Sequence, residues 1–165
     1  MVRRIDDFLE EWAYESESTS KVIGGLTDQS LAQRVTPEGR TVGTLAWHLV
    51  RTIPDMLSRA GLPVTGSAER DAPASASEIR AAYDRTAAAA RDAVSSTWTD
   101  ASLEEMREMY GRPWKNGTTL RALVSHQAHH RGQLTVLMRQ AGLRVPGIYG
   151  PAREDWASMG LKAEA

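Results

Sequence analysis

The sequence predicts an all-α fold, an up-down bundle of four helices followed by a short C-terminal helix. Apolar residues recur at every third or fourth position in four long segments, which is the spacing of one face of an α-helix. Two longer connections, at residues 61–76 and 99–117, precede the third and fourth segments. A chain of 165 residues is about one domain long. We therefore expect residues 1–165 to form a single domain that contains almost no β-strand.

Glycine and threonine mark the ends of the first two helices. The first helix is expected to end at Gly24-Gly25, because glycine is a poor residue inside a helix. Residues 28–34 are expected to form one short turn of helix. The second helix follows Thr41, whose hydroxyl can cap the first turn, and it ends at Gly61.

The second half of the chain has less regular signals. Ser77 is expected to cap a third helix that runs from Glu78 to about Trp98. The Lys115-Asn116-Gly117 segment either closes a short hairpin or leads directly into the fourth helix, which runs from about Thr118 to Gln140. A short final helix is expected at residues 152–159.

The composition excludes several classes of function. Twenty basic residues nearly balance twenty-one acidic ones, so no overall positive field attracts a nucleic acid, and we expect no such partner. The absence of cysteine excludes disulfides, cysteine-ligated zinc, iron–sulfur clusters and a cysteine nucleophile. No apolar run approaches the ~20 residues of a membrane span. The N-terminus becomes acidic where a signal peptide is apolar, so we expect a cytoplasmic protein with no membrane partner.

The histidines are the strongest functional signal in the chain. His126 and His130 fall in the apolar stripe of the fourth helix, one turn apart, so their Cβ atoms are expected about 5–6 Å from each other. His48 falls in the apolar stripe of the second helix. If these two helices face each other, three imidazoles meet in a site that leaves further positions on a metal ion open. The spacing alone also permits a second interpretation, in which these are core histidines that each form a hydrogen bond.

Other polar side chains are candidates for the pocket around these histidines. There are five of them: Arg51, Thr52, Arg112, His129 and Gln133. Gln133 is expected to hydrogen-bond a ligand histidine or a metal-bound water, or else a neighbouring backbone group. Arg51 either lines the pocket or pairs with Asp55 on the helix surface. Arg112 lies between two aromatic residues, Tyr110 and Trp114, which form either a lid or a cover for the open end of the bundle.

Two sequence motifs resemble those of the DinB (DNA-damage-inducible) family, which includes YfiT-like proteins. Residues 126–134, His-Gln-Ala-His-His-Arg-Gly-Gln-Leu, are similar to the family's fourth-helix motif. Residues 44–49, Thr-Leu-Ala-Trp-His-Leu, resemble its second-helix motif, in which an apolar stretch precedes the first metal ligand. The resemblance extends from about Thr41 to Trp156.

The resemblance implies a four-helix bundle that holds one divalent ion through His48, His126 and His130, whereas His129 is not a ligand. Imidazole suits both zinc and nickel, which are the metals we expect. Relatives in the family include transferases and isomerases that use thiols such as bacillithiol, mycothiol or glutathione. The resemblance therefore implies a metal-dependent transferase or isomerase that activates a low-molecular-weight thiol toward a small-molecule substrate.

Two other functions and a homodimer are also expected from the sequence. The alternatives are a non-catalytic metal-binding protein of the stress response and a metal-hydroxide hydrolase. A homodimer is also expected, because bundles of this family often pair through long helices and five tryptophans leave apolar surface to cover.

Overall fold

Four long helices make up most of the molecule. A computed structural model of the protein describes residues 2–67 and 69–162. The helices are α1 (Ile5–Gly24), α2 (Val42–Arg59), α3 (Ala76–Thr97) and α4 (Asn116–Gln140). Short 3₁₀ turns occur at Asp28–Ala32, Asp100–Glu104 and Ala157–Met159. The all-α bundle that the sequence predicts is confirmed, with one small hairpin added to it.

The order of the helices around the bundle decides which side chains can meet. Within the part of the chain that is described, α1 packs against α3 and α4, and α2 packs against the same two helices. The helices α1 and α2 therefore lie diagonally across the bundle from each other, as do α3 and α4. A bundle in which each helix lies beside the next one in sequence would place α2 and α4 on a diagonal. Here the two helices are direct neighbours, so the histidines on both of them can share one site.

Side-chain caps fix the starts of α2 and α3. The Thr41 hydroxyl accepts a hydrogen bond from the Thr44 amide at 3.1 Å, as the sequence predicts. The expected cap at Ser77 is wrong, because α3 begins one half-turn earlier. Ser75 accepts the bond from the backbone amide of Glu78, and a carboxylate oxygen of Asp28 accepts a hydrogen bond from the first amide of α3 at 2.7 Å.

A two-stranded hairpin occupies the segment before α4. Its strands are β1 (Met106–Met109) and β2 (Arg112–Lys115), and Met109 pairs with Arg112. The two residues between the strands, Tyr110 and Gly111, have φ angles of 53° and 80°. Positive φ at both central residues is the geometry of a type I′ turn, which matches the twist of the strands. The expectation of almost no strand therefore missed this short element.

The turn of the hairpin is not at Lys115-Asn116-Gly117. This segment leads directly into α4, which is one of the two outcomes that the sequence left open. Asn116 is buried, and its side-chain amide donates a hydrogen bond to the Ser102 carbonyl at 3.0 Å. At Gly117 a Cβ atom would lie 2.4 Å from the Val2 carbonyl oxygen. The glycine is therefore required for a close approach of two segments rather than for a turn.

The core lies between the four helices and contains side chains from all of them. Phe8, Trp12, Leu49, Tyr83 and Leu123 are among its fully buried residues. The C-terminal segment crosses the outside of the bundle, and its expected helix is reduced to the 3₁₀ turn at Ala157–Met159. Within residues 2–67 and 69–162, none of the helices has the length and apolar character that a membrane span requires.

Candidate metal centre

Three imidazoles meet where α2 packs against α4. His48 projects from α2, and His126 and His130 project from successive turns of α4. One ring nitrogen of each residue lies within 4.8 Å of the other two. The Nε2 atoms of His48 and His126 are 3.1 Å apart, and the ring centroids are separated by 4.4 to 4.9 Å. The expected meeting of the second and fourth helices at these side chains is therefore observed.

The distances and donor atoms of this cluster fit a single metal ion. Two nitrogens that are each about 2.05 Å from one ion lie about 2.9 Å apart at a right angle and about 3.3 Å apart at the tetrahedral angle. The 3.1 Å separation of the His48 and His126 nitrogens falls between these values. The other ring nitrogen of His126, Nδ1, is buried without a hydrogen-bond partner. An ion bound at Nε2 would not satisfy Nδ1, so the fit to one ion rests on the Nε2 separation and on the three imidazole donors.

The electrostatic surroundings keep the imidazoles neutral, which is the form that binds metal. Burial lowers the pKa of His48 to about 4, and the nearby charge of Arg40 contributes. Burial also lowers the pKa of His126 to about 4, with a further contribution from His130. The pKa of His130 is lowered mainly by burial as well. At neutral pH the three rings carry no charge, so their lone pairs are available.

Gln133 connects His130 to its neighbour on the helix. The Nδ1 atom of His130 lies 2.7 Å from the Gln133 side-chain oxygen, which can only accept a hydrogen bond. His130 therefore carries its proton on Nδ1, and its Nε2 lone pair is free. The Gln133 amide nitrogen lies 3.2 Å from Nε2 of His129, which is exposed. Gln133 thus forms the hydrogen bond to a cluster histidine that the sequence suggested.

Three of the other candidate side chains have contacts outside the cluster, although the Arg51 charge is near enough to help lower the pKa of His48. The Thr52 hydroxyl donates to the His48 backbone carbonyl at 2.9 Å. Arg51 donates a hydrogen bond to the Arg70 carbonyl at 3.3 Å. It therefore contacts the segment between α2 and α3 and does not pair with Asp55. Arg112 lies on β2 and lines a different cavity, together with other residues of the hairpin.

The two hairpin aromatics differ in their contacts, because Trp114 packs against the core whereas Tyr110 reaches α2 and stays 55% exposed. The Tyr110 hydroxyl donates to Asp55 on α2 at 2.8 Å, and the Arg59 guanidinium lies 4.9 Å from the centre of the Tyr110 ring. Asp55 also pairs with Arg59 at 3.1 Å. Burial and the Asp55 carboxylate raise the pKa of Tyr110 to about 12. These contacts attach the hairpin to α2.

A cavity of about 480 Å³ opens beside His130, and we name it the His130 cavity. Eight residues line it: Val35, Gly39, Arg40, Leu45, His130, Gln133, Val136 and Leu137. Sequence reasoning missed Arg40, although this residue directly precedes the Thr41 cap of the helix that carries His48. The sequence position of Arg40 could have indicated its role, because a residue at the start of α2 is held at a fixed place relative to the side chains of that helix.

Two buried polar residues of α4 fix its position against the other helices, and sequence reasoning missed both. The amide of Gln127 donates to the Leu49 carbonyl on α2 and accepts from the Tyr83 hydroxyl on α3, each at 3.2 Å. Arg131, on the opposite side, forms a buried ion pair with Glu15 of α1 at 2.6 Å. Because Gln127 and Arg131 directly follow two of the cluster histidines, these contacts hold the His126 and His130 backbone in place.

Comparison with known proteins agrees with this architecture. The sequence model of the DinB family matches residues 1–164. The chain belongs to the DinB family. A relative from Bacillus subtilis (strain 168), described as uncharacterized protein YrdA, is 44% identical over 164 residues, which cover 99% of this chain and 98% of that protein.

Solved structures of DinB-like proteins share the fold. The crystal structure of a DinB-like protein from Bacillus cereus ATCC 10987 superposes with a TM-score of 0.87 at 46% identity and covers 90% of this chain and 100% of that one. A second DinB-like protein, YjoA from Bacillus subtilis, gives a TM-score of 0.70 at 11% identity, with 88% of this chain and 99% of that one covered. This second similarity extends to the fold alone.

Proposed function

We propose that this member of the DinB family is a metal-dependent enzyme that activates a low-molecular-weight thiol for transfer or isomerisation. His48, His126 and His130 would hold one divalent first-row ion, zinc or nickel, since imidazole suits both. The observation that carries the proposal is the combination of three converging neutral imidazoles with an open cavity beside one of them.

The donor set favours a catalytic ion over a structural one. Structural zinc is closed by four protein ligands, whereas catalytic zinc has three and keeps a position for water or substrate. Within residues 2–67 and 69–162, the cluster contains three histidines and no fourth histidine or carboxylate. The His130 cavity lies beside one of the three histidines and would bring small molecules close to this remaining position.

The charge of the site explains why a thiol is a suitable substrate. A divalent ion supplies positive charge that favours the thiolate over the thiol. Neutral imidazoles leave that charge uncompensated, whereas carboxylate ligands would cancel part of it. Gln133 holds His130 in the tautomer that presents Nε2, and such supporting bonds orient a ligand ring. The chain has no cysteine of its own, so an external thiol would provide the nucleophilic sulfur.

Metal binding is tested with two neighbouring histidines of α4. We expect the wild-type protein to bind one equivalent of zinc or nickel by isothermal titration calorimetry. His130→Ala should lose most of the affinity, whereas His129→Ala, one residue away and exposed, should retain it. Equal losses in the two variants would show that the ligand assignment is wrong.

Thiol activation is tested on protein loaded with cobalt, whose visible spectrum reports its ligands. We expect a low-molecular-weight thiol to change this spectrum and to bind more tightly to the loaded than to the metal-free protein. A screen of thiols with electrophiles should then show turnover that depends on His126. If thiols leave the spectrum unchanged, the thiol mechanism is refuted, and a hydrolase or a non-catalytic metal protein becomes the better interpretation.

A further inference from the structure

We propose that the His130 cavity binds a small organic acid, whose carboxylate pairs with Arg40 and whose hydrocarbon part lies against Val35 and Val136. The interpretation of this acid as the second substrate rests on the proposed function. Its binding to the cavity does not, because the contacts proposed for the acid are made by Arg40 and the two valines and not by the three histidines.

The charge of the cavity favours an anion. Among the described residues that line it, Arg40 is the one with a formal charge, since the other seven are apolar residues, glycine, glutamine and histidine. Among the described residues, no carboxylate lies within ion-pair distance of the Arg40 guanidinium, although eleven ion pairs occur elsewhere. An arginine in this position is free to bind a ligand anion.

The geometry of the cation favours a carboxylate over a phosphate. A guanidinium presents two parallel N–H groups that match the two oxygens of a carboxylate. One arginine balances the single negative charge of a carboxylate. Phosphate sites more commonly combine several cationic or backbone donors, and the His130 cavity offers only Arg40 and the Gln133 amide besides His130.

The walls of the cavity favour an apolar body. Val35 comes from the connection before α2 and Val136 from α4, and they are 67% and 57% exposed. Leu45 and Leu137 also line the space between them. Single exposed valines are ordinary, but two that line one cavity beside an arginine form an amphipathic site. A volume of about 480 Å³ lies in the range of small-molecule sites.

The test compares an acid with its neutral amide. Phenylacetate and phenylacetamide have the same shape, and only the first carries a charge. Binding to the full chain is followed by NMR titration, with and without zinc. Because Arg40 is exposed, we expect the acid to bind about three- to tenfold more tightly than the amide in metal-free protein.

Matched variants identify the residue responsible. Arg40→Gln should remove the preference for the acid, and Arg40→Lys should restore part of it. Arg85→Gln removes the same charge from an exposed position on α3 and should leave the preference unchanged. Val136→Ala should weaken both ligands by a similar factor of about two to three.

Two results would overturn the inference. One is equal affinity for acid and amide in metal-free wild-type protein. The other is a preference that survives in Arg40→Gln or occurs only when zinc is present, because the carboxylate would then be binding the ion. Zinc titration of the same samples reports the proposed function separately. Loss of zinc binding with an intact Arg40-dependent preference would refute only the metal proposal.

Discussion

Breaking the buried ion pair between Glu15 and Arg131 should destabilise the bundle far more than breaking an exposed one. The Arg131 and Glu15 side chains are 2% and 9% exposed. Arg131 also donates to the Glu15 carbonyl at 2.9 Å and to the Thr19 hydroxyl at 3.1 Å. The Tyr149 hydroxyl, from the C-terminal segment, donates to the Glu15 carboxylate at 2.8 Å. The change we consider is Glu15→Gln, which leaves the arginine charge buried without its counter-ion.

The expected magnitude follows from this burial. Removing one partner of a buried ion pair costs about 3–5 kcal/mol, because the remaining charge stays desolvated and uncompensated. For a chain of 165 residues each kcal/mol lowers Tm by about 2–4 °C, so we expect a decrease of about 6–20 °C. Arg131→Met should lower the free energy of unfolding by a similar amount. The double variant Glu15→Gln/Arg131→Met should be destabilised by less than the sum of the two single effects, since it leaves no unpaired charge.

The same two helices provide a matched control. Arg121 of α4 pairs with Glu11 of α1 at the same 2.6 Å distance, but these side chains are 52% and 36% exposed. Glu11→Gln should cost only about 0.2–1 kcal/mol. Chemical denaturation monitored by circular dichroism measures both effects. Similar decreases in the free energy of unfolding for Glu11→Gln and Glu15→Gln would refute the argument that burial determines how much this ion pair contributes to stability.

Three further predictions follow from the site and the fold. Gln133→Leu should weaken zinc binding about 10–100-fold by calorimetry, because His130 loses the hydrogen bond that fixes its tautomer. In metal-free protein, His48 and His126 should titrate near pH 4 by NMR. The unfolded chain binds more protons between about pH 4 and 6.5, so stability should fall as the pH decreases through this range; an unchanged free energy of unfolding would contradict this. Gly117→Ala should lower Tm, since its Cβ would meet a backbone carbonyl at 2.4 Å, and an unchanged Tm would refute the close-packing argument.

The helices and the pairing of His126 with His130 could be predicted because both depend on local periodicity. A stripe of apolar residues defines which face of a helix is buried, and two histidines one turn apart must lie on that same face. The meeting of His48 with this pair required α2 and α4 to be neighbours. Helical spacing does not determine the order of helices around a bundle, so the motif resemblance was needed for that step.

The hairpin and the positioning contacts could not be predicted, because they depend on long-range contacts. An Asn-Gly pair is a strong hairpin signal, yet Asn116 and Gly117 are used for contacts with other segments. The actual turn places Tyr110, a non-glycine residue, at positive φ, which sequence rules disfavour. Arg131 was equally unexpected, since arginine is rarely buried, and only its distant partner on α1 explains it.

X-ray absorption spectroscopy of the zinc-loaded protein tests the central claim of an open three-histidine centre most directly. We predict three imidazole ligands at about 2.0–2.1 Å, and one or two oxygen ligands from solvent. Addition of a low-molecular-weight thiol should replace an oxygen with one sulfur at about 2.3 Å. A spectrum without imidazole scattering, or one that His126→Ala leaves unchanged, would contradict the account.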